Sequence, residues 1–516
     1  MPTDRFRVAL LTLLIGGSGG LAQADAPLSA IDWLSESLVT PIAQPAQNLN
    51  EPAVTKDGAA PEGVTTSALD QASPDAVGIL PPQVTGLPRN LWGMAHTADV
   101  EALLTAEAAQ DLPALQGLLI TLLLAESEPP ADAGGNGALL LARLDKLLSI
   151  GALDQARALL DAAGPTTTPE LFRRYFDASL LIGDEDKACK LLHDAPGLSP
   201  ALPTRIFCLA RAGDFDAAGL TLDTARALGT VTPEDADLLA RFMNPDLDEA
   251  GGTLTPPSPL TPLTLRLFEA VGEPLPIATL PIAFSYADLS ENAGWKAQIE
   301  AAERLSRASA IAPNMLLGLY TQQKPAASGG VWDRVATFQK LDRAIASGDV
   351  KAVELALPAA WAEMTSAELE VPLATIYADK LAHMPLTGDA AAIAFHISLL
   401  SPDYETLSAL HTAASAQDMF LSALAKGNLA SAAPPDSMAR AIAPAFLAPV
   451  VSDDFKPLLD QNRIGEVILQ AMIRIDHGTA GDLRGVTDGL SVLRHIGLED
   501  VARRTALQLM LLDRRG

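Results

Sequence analysis

The residues of this chain that could do chemistry are few and scattered. Its only thiols are Cys189 and Cys208. In an oxidising compartment such a pair forms a structural disulfide by default. Closing a loop of this size stabilises a fold by about 3 kcal/mol in the chain-entropy account. The alternatives are two buried reduced cysteines or a redox pair, and the spacing is not the Cys-x-x-Cys of disulfide oxidoreductases. Seven histidines (His96, His193, His383, His396, His411, His477 and His495) are dispersed. The nearest group, His383, His396 and His411, has no spacing that one helix could present to a metal. Ser328-Gly329-Gly330 could offer backbone amides to an anion ahead of a helix, but a lone glycine loop reads first as a connection. Trp295 and Trp332 lie at helical positions and read as core residues that could also line a groove. No Gly-x-Ser-x-Gly elbow, phosphate loop or His-Glu-x-x-His helix occurs. The expectation is a chain with no catalytic residues, no metal and no cofactor.

Both cysteines fall inside the most regular part of the sequence, 138–229. Gly151, Gly183 and Gly213 recur at intervals of 32 and 30 residues, and each is followed five positions on by an alanine, Ala156, Ala188 or Ala218. That period suits stacked helical hairpins. The glycine takes the positive φ that ends one helix, and the alanine lets the next helix approach closely. Leu140, Leu141, Leu144, Leu147 and Leu148 mark one face of an incoming helix; Leu153, Ala156, Leu159, Leu160 and Ala163 mark the return. Thr168-Pro169-Glu170 and Thr232-Pro233-Glu234 are helix starts, each with a capping hydroxyl, a proline in the first turn and an acid near the positive helix end. The signature returns at Gly348, Gly427, Gly465 and Gly497. On Ala293–Ser309, Trp295, Ile299, Ala302 and Leu305 face inward, and Glu300–Arg304 and Glu303–Arg307 are expected as solvated i,i+4 pairs. A last helix with Arg503, Arg504, Arg514 and Arg515 would cap the stack.

These hairpins resemble tetratricopeptide and related α-solenoid repeats, although the consensus tryptophan, tyrosine and proline positions are not reproduced. The resemblance implies an all-α fold of antiparallel hairpins stacked as a solenoid. A second architecture shares a superhelix. Periplasmic lytic transglycosylases place one before a lysozyme-like domain and need a catalytic Glu-Ser pair followed by Gly-Leu-Met-Gln. Here Glu126-Ser127 precedes the repeats and no Gly-Leu-Met-Gln follows, so the acid that glycoside cleavage needs is not assigned.

Bulk properties frame the rest. With 516 residues the chain exceeds one compact core. Its apolar 48% is alanine- and leucine-rich, with only 4% aromatic, which favours helices over sheet. A net charge of −27 argues against a nucleic-acid surface and against docking on anionic lipid. Arg5 and Arg7, the apolar run Val8–Ile15 and Ala22-Gln23-Ala24 read as an export signal cleaved near Ala24, which places the chain in the periplasm. No stretch is long enough to span a membrane. The expected organisation is a signal peptide (1–24), an unfolded Pro/Ala-rich segment (25–90), a helical-repeat domain (91–248), a Pro/Gly linker (249–262) and a second repeat domain (263–516). Within 25–90 one island, Ile31, Leu34 and Leu38 on one helical face with Trp33 beside them, is either a motif for a partner groove or a clip onto the chain's own folded part. A second island runs from Val77 through Pro82 to Leu91-Trp92. The function expected is a non-catalytic periplasmic scaffold that binds another envelope protein or a peptide. The alternative is a peptidoglycan-related envelope enzyme or its accessory subunit. Oligomeric state is not readable from the sequence.

Overall fold

A computed structural model describes residues 73–107, 112–199, 201–244, 254–479 and 481–512. The export signal, the Ile31–Leu38 island, residues 249–253 of the linker, Arg514 and Arg515 lie outside the described residues. Within them the chain is all-α, with one isolated parallel bridge between Leu80 and Ala125.

The first run of helices is α1 (Pro82–Thr85), α2 (Thr97–Ala106), α3 (Pro113–Leu124) and three hairpins, ending on α10 (Pro233–Met243). The hairpins are α4 (Ala138–Ser149) with α5 (Leu153–Ala163), α6 (Pro169–Ile182) with α7 (Glu185–Asp194), and α8 (Leu202–Arg211) with α9 (Phe215–Leu228). Their turns follow the sequence logic. Gly151, Gly183 and Gly213 have φ of 78°, 89° and 83°, and Ala156, Ala188 and Ala218 are fully buried. Thr168 Oγ1 accepts from the Leu171 amide and Thr232 Oγ1 from the Asp235 amide, capping α6 and α10.

The second run holds α11 (Pro262–Ala270), a 3-10 segment (Ile282–Leu289), α12 (Trp295–Arg307), α13 (Pro313–Gln322), α14 (Val331–Ser347), α15 (Val350–Ser366), α16 (Glu370–Ala382) and α17 (Gly388–Leu400). It continues through α18 (Tyr404–Ser408), α19 (Ala416–Ala425), α20 (Ser437–Leu447), α21 (Lys456–Asp460), α22 (Ile464–Thr479), α23 (Leu483–His495) and α24 (Glu499–Leu511). The pairs α14–α15, α16–α17 and α22–α23 pack as hairpins, and Gly348, Gly427 and Gly497 all take positive φ.

The two runs share one continuous core. The Gly151 turn packs on Leu305 and Ile282, α11 packs on α6, and α22 and α24 return to pack on α2 and α3. At that return the chain closes on itself. Trp92 is buried on α22, its Nε1 donating to Ser127 Oγ at 3.1 Å. The Gly465 amide donates to Leu91 O at 2.8 Å, the Ala114 amide to Gln508 Oε1 at 2.8 Å, and Arg463 pairs with Asp99 at 3.2 Å. Gly465 and Ala114 each lie in the first turn of a helix, where an amide has no intrahelical acceptor. Each therefore receives its acceptor from the opposite end of the chain.

Three expectations need correction. Gly465 is not a hairpin turn: it is the second residue of α22, and Asn462 (φ 55°) takes the left-handed conformation before it. Glycine is needed there because a β-carbon would lie 2.3 Å from Trp92 Cζ3. Secondly, the folded part already includes residues 73–90. Ile79 and Leu80 donate to Leu124 O, Glu126 donates back to Leu80 O, and Asp75 Oδ1 accepts from the Leu140 amide at the start of α4. Arg143, fully enclosed, donates to the carbonyls of Leu123, Val77 and Ala125 at 2.7–2.9 Å. Burial pushes its pKa down to about 10, so it stays charged at neutral pH and ties this segment to α3 and α4. Thirdly, Glu303 is not solvated but 4% exposed, gripped by Arg334 through both oxygens and by the Tyr320 hydroxyl at 2.6 Å. Glu300 pairs with Lys296 instead, on the exposed edge of α12, while Ile299, Ala302 and Leu305 are fully buried as expected.

The closure predicts opposite signs at two glycines. Gly465→Leu should destabilise by about 3 kcal/mol through overpacking against Trp92. Gly117→Ala, on an exposed position of α3 with open space around it, should stabilise by about 0.5–1 kcal/mol. Denaturant unfolding of both variants checks the pair.

Candidate functional site: a groove over the disulfide

Cys189 and Cys208 are joined in a disulfide with a Cα–Cα distance of 5.1 Å. The bond staples α7 to α8, the return helix of one hairpin to the incoming helix of the next, and both residues are less than a tenth exposed. Around it the two helices carry matching sets. Asp186, Cys189, Lys190 and His193 share one face of α7 at i, i+3, i+4 and i+7; Arg205, Cys208, Leu209 and Ala212 do the same from α8. With Leu192, Pro196, Arg211 and Thr221 of α9 they line a groove of about 600 Å³.

Its floor is apolar and its rim is basic, on a chain of strongly acidic balance. Arg211 spans the two helices, Nε donating to Asp186 at 2.9 Å with Glu185 at 3.4 Å. Arg205 is held by the carbonyls of Ser199 and Pro196 at 2.7 and 2.5 Å. That geometry fixes the Arg205 guanidinium without an acid to neutralise it, and Lys190 also has no ion pair among the described residues. Beside the groove α9 continues the apolar surface. Of the eleven large exposed hydrophobics among the described residues, three, Phe215, Leu220 and Leu228, are on this one helix, Leu220 being 71% and Leu228 67% exposed. Ala217, Leu220, Thr221, Thr224 and Leu228 follow helical spacing on one face, and both threonine hydroxyls turn back to their own helix, onto Ala217 O and Leu220 O. An uncharged stripe results, with one edge (Thr221) in the groove. Such a surface suits holding an amphipathic chain with acidic side chains.

A second hollow of about 720 Å³ lies between α20, α21 and α23. Its cations are already paired, Lys456 with Asp453, Arg474 with Asp454 and Arg484 with Asp488, so it offers less to a charged ligand.

The remaining candidates are placed as follows. His396 and His411 come together around Phe395, while His383 pairs with Asp379. No three His, Cys, Asp or Glu side chains among the described residues are placed to hold a metal. Ser398 Oγ lies 3.0 Å from His411 Nε2, but the serine is fully buried and its hydroxyl is within bonding distance of Ala394 O. Glu126 pairs with Arg89 at the surface, and Ser127 accepts from Trp92. Gly329 and Gly330 lead into α14, and Trp332 packs on Trp295 with ring centroids 5.0 Å apart. The groove itself was not identified from sequence; the i, i+3, i+4, i+7 sets centred on each cysteine were the signal that could have found it.

Two measurements follow. A Cys189→Ala/Cys208→Ala variant should lose about 3 kcal/mol of stability, and thiol labelling of the unfolded, unreduced wild type should find no free cysteine. Burial holds the His396 and His411 imidazoles below the usual histidine pKa, opposed at His396 by Asp418. The unfolded chain therefore binds protons first, and the stability tied to the neutral rings falls as pH drops below about 6.5. A His396→Gln/His411→Gln variant should show a shallower loss between about pH 7 and 5 than wild type, read from melting curves. Compared with models of known protein families, with curated proteins and with solved structures, the chain has no match in any of the three.

Proposed function

We propose that this protein is an exported, tetratricopeptide-like scaffold that binds a protein or peptide partner in the envelope through the α7–α9 surface. The observation that carries this reading is the conjunction of the groove, its uncompensated Lys190 and Arg205, and the adjoining bare stripe of α9. A monomer surface concentrates exposed apolar side chains in this way where it is meant to be covered. Export is supported by the N-terminal signal pattern, by the closed disulfide and by the lack of any helix among the described residues long and apolar enough to cross a membrane. Anchoring would come from Leu220 and Leu228, while Lys190 and Arg205 would set orientation and favour acidic partners.

The reading is tested with a photo-crosslinking amino acid at Leu220 in the producing cell, and at Leu355 of α15, equally exposed at 72%, as the control. A discrete heavier adduct from position 220 and none from 355 is expected, and Lys190→Glu should reduce it. Heavier adducts from neither site, or the same ones from both, would contradict it.

A further inference from the structure

We propose that the α7–α9 surface is occupied in the resting protein by the chain's own segment Ile31–Leu38, which a partner must displace. The inference rests on the reading of that surface as a docking site and adds the identity of its first occupant.

The two surfaces match in pattern, length and charge. Ile31, Leu34 and Leu38 follow i, i+3, i+7 with Trp33 alongside, the arrangement by which a helix lays an apolar face into a groove. As a helix the segment spans about 10 Å, against about 12 Å from Leu220 to Leu228 at 1.5 Å per residue. Asp32 and Glu36, one turn apart, are its only charges, and the bordering cations without an acidic partner among the described residues are Lys190 and Arg205. In a chain of net charge −27, acids find few such places. Reach is not limiting, because the stretch from Val39 to Ala72 can extend roughly 110 Å before the described chain begins at Ser73. Being tethered, the segment acts at a high effective concentration, so weak contacts hold it and a free partner can still exchange with it.

The test places the photo-crosslinker at position 33 of the full chain and maps adducts by mass spectrometry. Adducts within one molecule to peptides of α7–α9 are expected, independent of protein concentration. Asp32→Lys/Glu36→Lys should abolish most of them, and adding Lys190→Glu should restore part of the loss. Substituting exposed residues and segment residues leaves the core untouched, so misfolding does not confound the result. Adducts to other helices, adducts only between molecules, or none would each overturn the proposal. The probe at Leu220 separates this from the broader reading: a partner adduct there with no adduct from position 33 sinks only the present inference. An adduct from position 33 with no partner at 220 sinks the partner reading and the displacement with it, and leaves only the seating of the segment on α7–α9.

Discussion

The fold depends on the contact between Trp92 and Gly465. A stack of hairpins has two ends, and each end exposes an apolar face unless something caps it. Here the ends cap each other. The missing side chain at residue 465 admits the indole, and the amides that α3 and α22 leave over in their first turns find acceptors at the far end of the sequence. Buried donors without partners cost about 1–3 kcal/mol each, so these two bonds favour closure as well as following from it. Arg143 plays the same part at the N-terminal side, where one guanidinium supplies three carbonyls and fixes residues 73–80 against α3 and α4.

A closed stack leaves few faces to choose from. Successive helices of the second run cover one another, as Glu303 shows: an acid that one helix would leave in water is instead held by Arg334 and Tyr320 from its neighbours. The hairpin of α8 and α9 escapes this. Its incoming helix is stapled to α7 by the disulfide, so the groove keeps its shape, and its return helix carries leucines that no described residue covers. Rigidity and bareness at one place are what a docking surface needs, since a preformed site avoids the ordering cost of binding.

Much of this was readable from local pattern, and the misses share a cause. Gly151, Gly183 and Gly213 with their alanines, and the Thr-Pro-Glu starts at 168 and 232, act through neighbours a few residues away, so sequence displays them. The disulfide was legible too, because consecutive helices of a stack must touch. Gly465 looked like another turn because its role is set by a tryptophan more than 370 residues earlier. Residues 73–90 looked unfolded because their own turns are short, and the bonds that fix them in place run to the C-terminal end of α3 and the start of α4. Glu303 and Arg307 kept perfect i,i+4 spacing yet were claimed by other helices. Charge and periodicity describe a helix alone; burial is decided by what packs on it.

The most direct test of this architecture is hydrogen exchange at the Gly465 amide. At the second position of α22 it has no acceptor within its own helix, so only the bond to Leu91 O can protect it. If the chain closes on itself, that amide should exchange as slowly as the buried middle of α22. Exchange at the rate of an unprotected helix end, with the rest of α22 still protected, would contradict the closed stack and the fixed frame it gives to the α7–α9 surface.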